Sequence, residues 1–186
     1  MPTLLDHPID ELPGKPNKII VHWTAGTYTP STTDRKHYHF IVSPLGVKGV
    51  KLAQGTYPVS ANDEITDDAY AAHTAAFNTK AIGIAAACML AASPGYGGDY
   101  PLTKPLWEGL ARLAGELAYY YDIEIGPLTV LMHAEVRKFT PGKNHGKWDI
   151  SELPFNRELN ALRVHEEFRN KARWYKNRLK TRLTGS

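Results

Sequence analysis

Short β-branched runs bounded by turn residues alternate along this chain with two long stripes of apolar positions at helical spacing. Lys18 to Trp23 (KIIVHW) follows Pro13-Gly14-Lys15-Pro16 and is closed by Thr24-Ala25-Gly26, which predicts a buried strand. His37 to Ser43 (HYHFIVS) predicts a second strand, Pro44-Leu45-Gly46 a turn, and Val47 to Leu52 its hairpin partner. Gln54 to Asn78 is polar and irregular, with Asp63, Glu64, Asp67 and Asp68 clustered in it. Ala81 to Leu90 (AIGIAAACML) has the alanine content of a helix. Ile82-Gly83-Ile84, just after an Asn-Thr turn, instead favours a central strand whose small residues suit close helix packing. Leu106, Leu110, Leu113, Leu117 and Tyr120 recur at three- and four-residue spacing, the stripe of an amphipathic helix that starts near Thr103 and Pro105. Leu128 to Met132 predicts another short strand with His133 at its exit, and Asn156 to Leu183 a final helix with Val164, Phe168, Ala172, Tyr175 and Leu179 on one face. Alternating strands and helices around one core predict an α/β fold: a central mixed β-sheet flanked by helices, with a basic C-terminal helix.

Composition adds limits rather than an activity. The 186 residues suit one domain and a tail, and 42% apolar with 22% charged residues is the balance of a soluble globular chain. Cys88 is the only cysteine, so an intrachain disulfide and a cysteine-only zinc knuckle are both excluded, and a metal site must use His and carboxylates. Met1 to Glu11 carries Asp6, Asp10 and Glu11 and lacks the charged start and apolar run of a secretory signal, so synthesis in a cytoplasm without a signal peptide is expected. No apolar stretch approaches the roughly 20 residues that cross a bilayer.

The formal charge of +3 hides an asymmetry: from Arg157 onward nine Lys or Arg face three Glu, so this segment carries +6 and the rest of the chain −3. Nucleic acid is not an expected partner, because the basic tail lacks a recognised reading motif.

Alternation along the first strand sends Ile20 and His22 to one face and Ile19, Val21 and Trp23 to the other, with His22 at the carboxyl end, where sheets of this kind collect ligands. His133 stands at the equivalent exit of a second strand, and Asp149 follows in the loop Gly146-Lys147-Trp148-Asp149. Two imidazoles and a carboxylate are a common zinc set that leaves a fourth position for water. Taken singly, each His is more often a hydrogen-bonded core or surface residue, and spacing by itself does not exclude that reading.

Four stretches, in order, resemble a known family: IIVHWTAG (19–26), HYHFIV (37–42), HTAAFNTKAIG (73–83), and MHAEV with KWD (132–136 and 147–149). The chain is similar over about Lys18 to Asp149 to the zinc-dependent N-acetylmuramoyl-L-alanine amidases, which include phage endolysins, bacterial muramyl amidases and animal peptidoglycan recognition proteins. The resemblance implies a Zn2+ ion held by His22, His133 and Asp149, with Asp149 where many phage members have cysteine. It also implies Lys147 and Tyr38 as catalytic groups, Tyr38 on the second strand. Ala85, Ala86 and Ala87 leave no place for the central-strand glutamate of another branch. His145 is a rival third ligand. His73 and Trp148 are candidate substrate contacts, Asn78 a turn residue, and His39 a hydrogen-bonded core histidine; His7, His37 and His165 read as surface residues. Only Gly26 to Lys36 separates the first two strands, where relatives usually carry a helix, so a shortened groove wall is expected.

The implied organisation is a zinc amidase domain at 1–155 and a basic amphipathic C-terminal helix at 156–186. The implied activity is hydrolysis of the amide between N-acetylmuramic acid and L-alanine of peptidoglycan, by a monomer made in the cytoplasm and acting on the cell wall after release, as a phage or prophage lysis enzyme. A host recycling amidase is the other biology. A catalytically inactive peptidoglycan-binding module and a zinc peptidase cutting within the stem peptide are the alternative activities. The tail, with Trp174 beside Tyr175, is a candidate for docking on an anionic envelope surface.

Overall fold

The computed structural model describes residues 4, 5 and 12–185; His7 and the acidic residues Asp6, Asp10 and Glu11 lie outside them. Five strands form one mixed sheet: β1 (Lys18–Trp23), β2 (Phe40–Leu45), β3 (Gly49–Gln54), β4 (Ala81–Ala86) and β5 (Val130–Met132). Their order is β3-β2-β4-β1-β5, with β2–β3 antiparallel and the other pairs parallel. Helices α1 (Thr32–His37), α2 (Lys104–Tyr120), α3 (His133–Val136) and α4 (Ala161–Thr184) complete it, with a 3-10 turn at Val59–Asn62. The mixed sheet, the flanking helices and the C-terminal helix are those the hydrophobic pattern predicts.

Strands β1 and β4 lie in the middle of the sheet and are buried almost end to end. Ile19, Val21 and Trp23 join Ile82 and Ile84 under α2, whose Leu106, Leu110, Leu113 and Leu117 are fully buried. Each such leucine stabilises the fold by about 1.5–3 kcal/mol relative to exposure. Thr103 caps α2 by accepting the Leu106 N–H, as its position before Pro105 predicts. Against α2 runs α4, which adds Val164, Phe168 and Ala172 to the same core. The approach is close: a Cβ on Gly115 would lie 2.4 Å from the Ala172 carbonyl oxygen. The apolar stripe of the C-terminal helix is therefore used in packing, while Trp174 is about half exposed on its outer side, stacked with Arg178 and Lys171.

Element boundaries differ from expectation in several places. Strand β2 runs through Pro44 to Leu45, and the turn falls at residues 46–48. The Val42 carbonyl accepts from Ala87 on the β4 side, so by alternation Pro44 faces that same side, beyond the last β2–β4 pair, where no ladder bond needs its missing N–H. Strand β4 stops at Ala86, and Met89 has a positive φ of 73°. Strand β5 starts at Val130, and α4 starts at Ala161, where the Asn160 side chain accepts the Arg163 N–H. The interval between β1 and β2, expected to lack the helix of its relatives, holds the six-residue α1 behind a Ser31–Asp34 capping box. Residues 37–39 consequently precede the second strand instead of opening it.

His165, expected at the surface, is 6% exposed and lies 3.4 Å from Glu135. His37 is exposed. His39 is a buried core histidine: its Nδ1 accepts the Gly83 N–H at 2.9 Å and its Nε2 lies 3.1 Å from Asn62 Oδ1. Burial lowers its pKa from 6.5 to about 4, against the opposing pull of the Asn62 hydrogen bond. A folded-state pKa below the unfolded value gives stability that is complete above about pH 6.5 and is lost as pH falls towards 4. Zinc-free wild type is expected to lose about 2 kcal/mol more than His39→Gln between pH 7 and pH 5 in urea unfolding. An equal pH dependence in both would assign the effect to other groups.

Candidate metal centre

Three side chains meet at the carboxyl edge of the sheet. His22 comes from the end of β1, His133 opens α3 directly after β5, and Asp149 comes from the loop that follows. Parallel pairing of β1 with β5 aligns Val21 with Met132, which brings the two histidines side by side. His22 is fully buried, His133 5% exposed and Asp149 8% exposed. Their Nδ1 atoms are 3.0 Å apart, and Asp149 Oδ2 lies 3.5 Å from His22 Nδ1 and 3.4 Å from His133 Nδ1.

These separations fit a zinc ion. Ligand atoms at about 2.0–2.1 Å from a tetrahedral centre are about 3.3 Å from one another. Among the described residues this is the group of His, Cys, Asp and Glu with ligand atoms close enough to hold a metal ion. His145, the rival ligand, is exposed and outside it.

The far nitrogens of both rings are also engaged. His133 Nε2 is 3.1 Å from Asn144 Oδ1, while Asn144 Nδ2 donates to the Ala75 carbonyl and to Thr140 Oγ1. Those two acceptors orient the amide so that its oxygen faces His133, which places the ring proton on Nε2 and leaves the Nδ1 lone pair towards Asp149. His22 Nε2 lies 3.2 Å from His73 Nδ1 and 3.3 Å from Thr74 Oγ1. His73 itself is buried edge-on against His22 and lies against Gly83 of β4, where a Cβ would come within 2.4 Å of its ring.

Electrostatics favour a neutral imidazole and an ionised carboxylate. Burial lowers the His22 pKa to about 4, although the Asp149 hydrogen bond raises it; His133 and Lys147 push it down further. Burial pushes the Asp149 carboxyl up, but the neighbouring His133 and His22 rings outweigh this and hold it well below the usual range. Burial also drives the Tyr38 phenol well above its ordinary value, with the charges of Asp149 and Asp34 adding to it, so the hydroxyl is a neutral donor.

Of the remaining candidates, Tyr38 sits at the end of α1, its ring 5.1 Å from that of His22 and its hydroxyl 3.4 Å from the Trp23 carbonyl. Lys147 is exposed, two residues before Asp149. Trp148 is half-buried, edge-on to Trp23 at 4.6 Å. Asn78 Oδ1 accepts the Thr74 N–H at 2.7 Å, a turn role. Asn144 and Thr74 were not visible as site residues in the sequence. Neither stands at a strand end, and Asn144 sits in an irregular loop with a positive φ of 55°.

Comparison with known proteins adds the family. A model of the N-acetylmuramoyl-L-alanine amidases matches residues 12–147. Two solved structures from Clostridium intestinale URNW are similar: N-acetylmuramoyl-L-alanine amidase LysC and endolysine N-acetylmuramoyl-L-alanine amidase LysCS. Both are 21% identical with a TM-score of 0.47, over 85% of this chain and 85% and 84% of theirs. No curated protein matches in sequence. A match covering most of the chain, from before β1 to the loop that delivers Asp149, shows that this protein belongs to the N-acetylmuramoyl-L-alanine amidase family, whose substrate is peptidoglycan.

Proposed function

We propose that this protein is a zinc hydrolase that cleaves the amide joining the lactyl group of N-acetylmuramic acid to L-alanine of the stem peptide, in the role of a phage or prophage endolysin. The observation that carries this reading is the cluster of His22 Nδ1, His133 Nδ1 and Asp149 Oδ2, within 3.0–3.5 Å of one another, in a chain of this family. These three residues would hold the ion. When bound, zinc supplies a Lewis acid and a water acidified to a pKa of about 7.

The chain's own residues do the rest. His22 and His133 offer neutral nitrogens and Asp149 the single negative charge of the donor set. Tyr38, a neutral phenol beside His22, donates a hydrogen bond to the oxygen or departing nitrogen of the scissile amide. Lys147, exposed near Asp149, stabilises negative charge developing on the carbonyl oxygen. Trp148 offers a ring beside the site for stacking on substrate. His73 is too enclosed to offer substrate more than an edge, and we assign it mainly to holding His22.

The endolysin role takes its support from the sequence resemblance, which extends to phage endolysins. Among the described residues no helix is long and apolar enough to cross a membrane. Mass spectrometry of digested peptidoglycan tests the activity. Free stem peptides beginning at L-alanine, with intact glycan, are expected. Cleaved stems would replace this reading with a peptidase, and binding without products would replace it with an inactive module.

A further inference from the structure

Helix α4 buries two residues that packing alone does not call for. Arg169 and His165 are 5% and 6% exposed, on the face that also carries Val164, Phe168 and Ala172. Both reach Glu135 on α3: Arg169 Nη1 donates to Glu135 Oε2 at 2.9 Å, and His165 Nδ1 lies 3.4 Å from Oε1. The same Arg169 Nη1 is 3.3 Å from the Val130 carbonyl on β5. Glu135 Oε2 in turn accepts the Met132 N–H at 3.0 Å. Met132 is the last residue of β5 and the N-cap of α3, and the next residue is His133.

A buried ion pair is weak ground for stability, since apolar residues of similar volume often serve as well or better. What this pair does have is a position. It grips the backbone on both sides of the bend where the sheet ends and His133 begins, through Val130 before it and Glu135 after it. Asn144 fixes the tip of the His133 ring. With its backbone and its ring tip both held, His133 has little freedom to swing its Nδ1 away from Asp149.

We infer that Arg169, acting through Glu135, is a positioning residue for His133, so that the C-terminal helix contributes to the metal centre itself. This rests on the reading of His133 as a metal ligand. It makes α4 part of the catalytic body: residues outside the span matched by the family model set the geometry of a ligand inside it. Groups around a ligand that act in this way typically change metal affinity 10–100-fold when replaced.

The test uses the full chain. Zinc dissociation constants are measured by competition with a chromophoric chelator for wild type, Arg169→Met, Arg169→Lys, Glu135→Gln and His133→Ala. Melting temperatures of the zinc-free proteins and visible spectra of the cobalt(II) forms are recorded alongside. Arg169→Met and Glu135→Gln are expected to weaken zinc binding about 10–100-fold and to alter the cobalt spectrum. Arg169→Lys, which keeps the charge, is expected to recover part of the affinity. Unchanged affinity and cobalt spectra in the folded variants, with only a lowered melting temperature, would overturn the proposal and leave Arg169 as a structural tie. Should Arg169→Met fail to fold, the near-isosteric Glu135→Gln and the charge-keeping Arg169→Lys decide by the same criteria. His133→Ala separates the two levels: wild-type zinc affinity in that variant would overturn the ligand reading, and with it this proposal.

Discussion

Replacing His22 or His133 with Ala is expected to remove tightly bound zinc, about one ion per chain in the wild type, and with it all measurable turnover. Three donors at 3.0–3.5 Å from one another leave no fourth protein ligand among the described residues to compensate for a missing imidazole. The loss should be confined to the site. The large apolar cluster that joins α2 and α4 to the sheet is built from other residues, so chelation is expected to abolish activity while leaving most far-ultraviolet circular dichroism in place. Elemental analysis checks the first expectation, and full zinc occupancy in both variants would defeat the assignment. Complete unfolding on chelation would make the ion structural rather than catalytic.

The second large effect is expected at Tyr38 and Lys147. Tyr38→Phe removes one hydroxyl and Lys147→Ala one exposed cation, and neither belongs to the candidate metal group His22, His133 and Asp149. Both variants should retain zinc and lose about 10²-fold or more in turnover, the usual scale for one acid/base or oxyanion group. The change should fall on kcat more than on KM. Near-normal turnover in either variant, with zinc measured in parallel, would remove that residue from the mechanism. The Tyr38 ring is packed near His22 and its hydroxyl is held neutral by burial, so a loss on removing the oxygen alone reports hydrogen bonding rather than proton release.

The strands, the two long helices and the general position of the site follow from local pattern. A period of two places His22 on the face opposite Ile19, Val21 and Trp23, and a period of three to four puts the leucines of α2 on the sheet. The positions of His22 and His133 at strand exits, with Asp149 shortly after, were readable for the same reason. Pattern failed where a tertiary neighbour overrides local preference. Pro44 is tolerated in β2 because β4 has already ended. The alanine-rich β4, by contrast, is the strand that Ile82-Gly83-Ile84 predicts, and β1 and β2 pair with it on both sides.

The α/β class, the family resemblance and the identity of the candidate donors are legible in the chain, because each rests on periodicity or on short runs of neighbouring residues. The tertiary structure alone decided which atoms of those donors face one another and what holds them. Asn144 lies 11 residues from His133, Thr74 lies 52 from His22, and Arg169 lies 34 from Glu135. Such contacts carry no spacing signal, since chain separation fixes neither distance nor direction once the backbone leaves regular structure. The basic helix shows the same division: its charge and stripe are written in the sequence, but only packing on α2 determines that the stripe is buried and that Arg169 and His165 turn inward to Glu135.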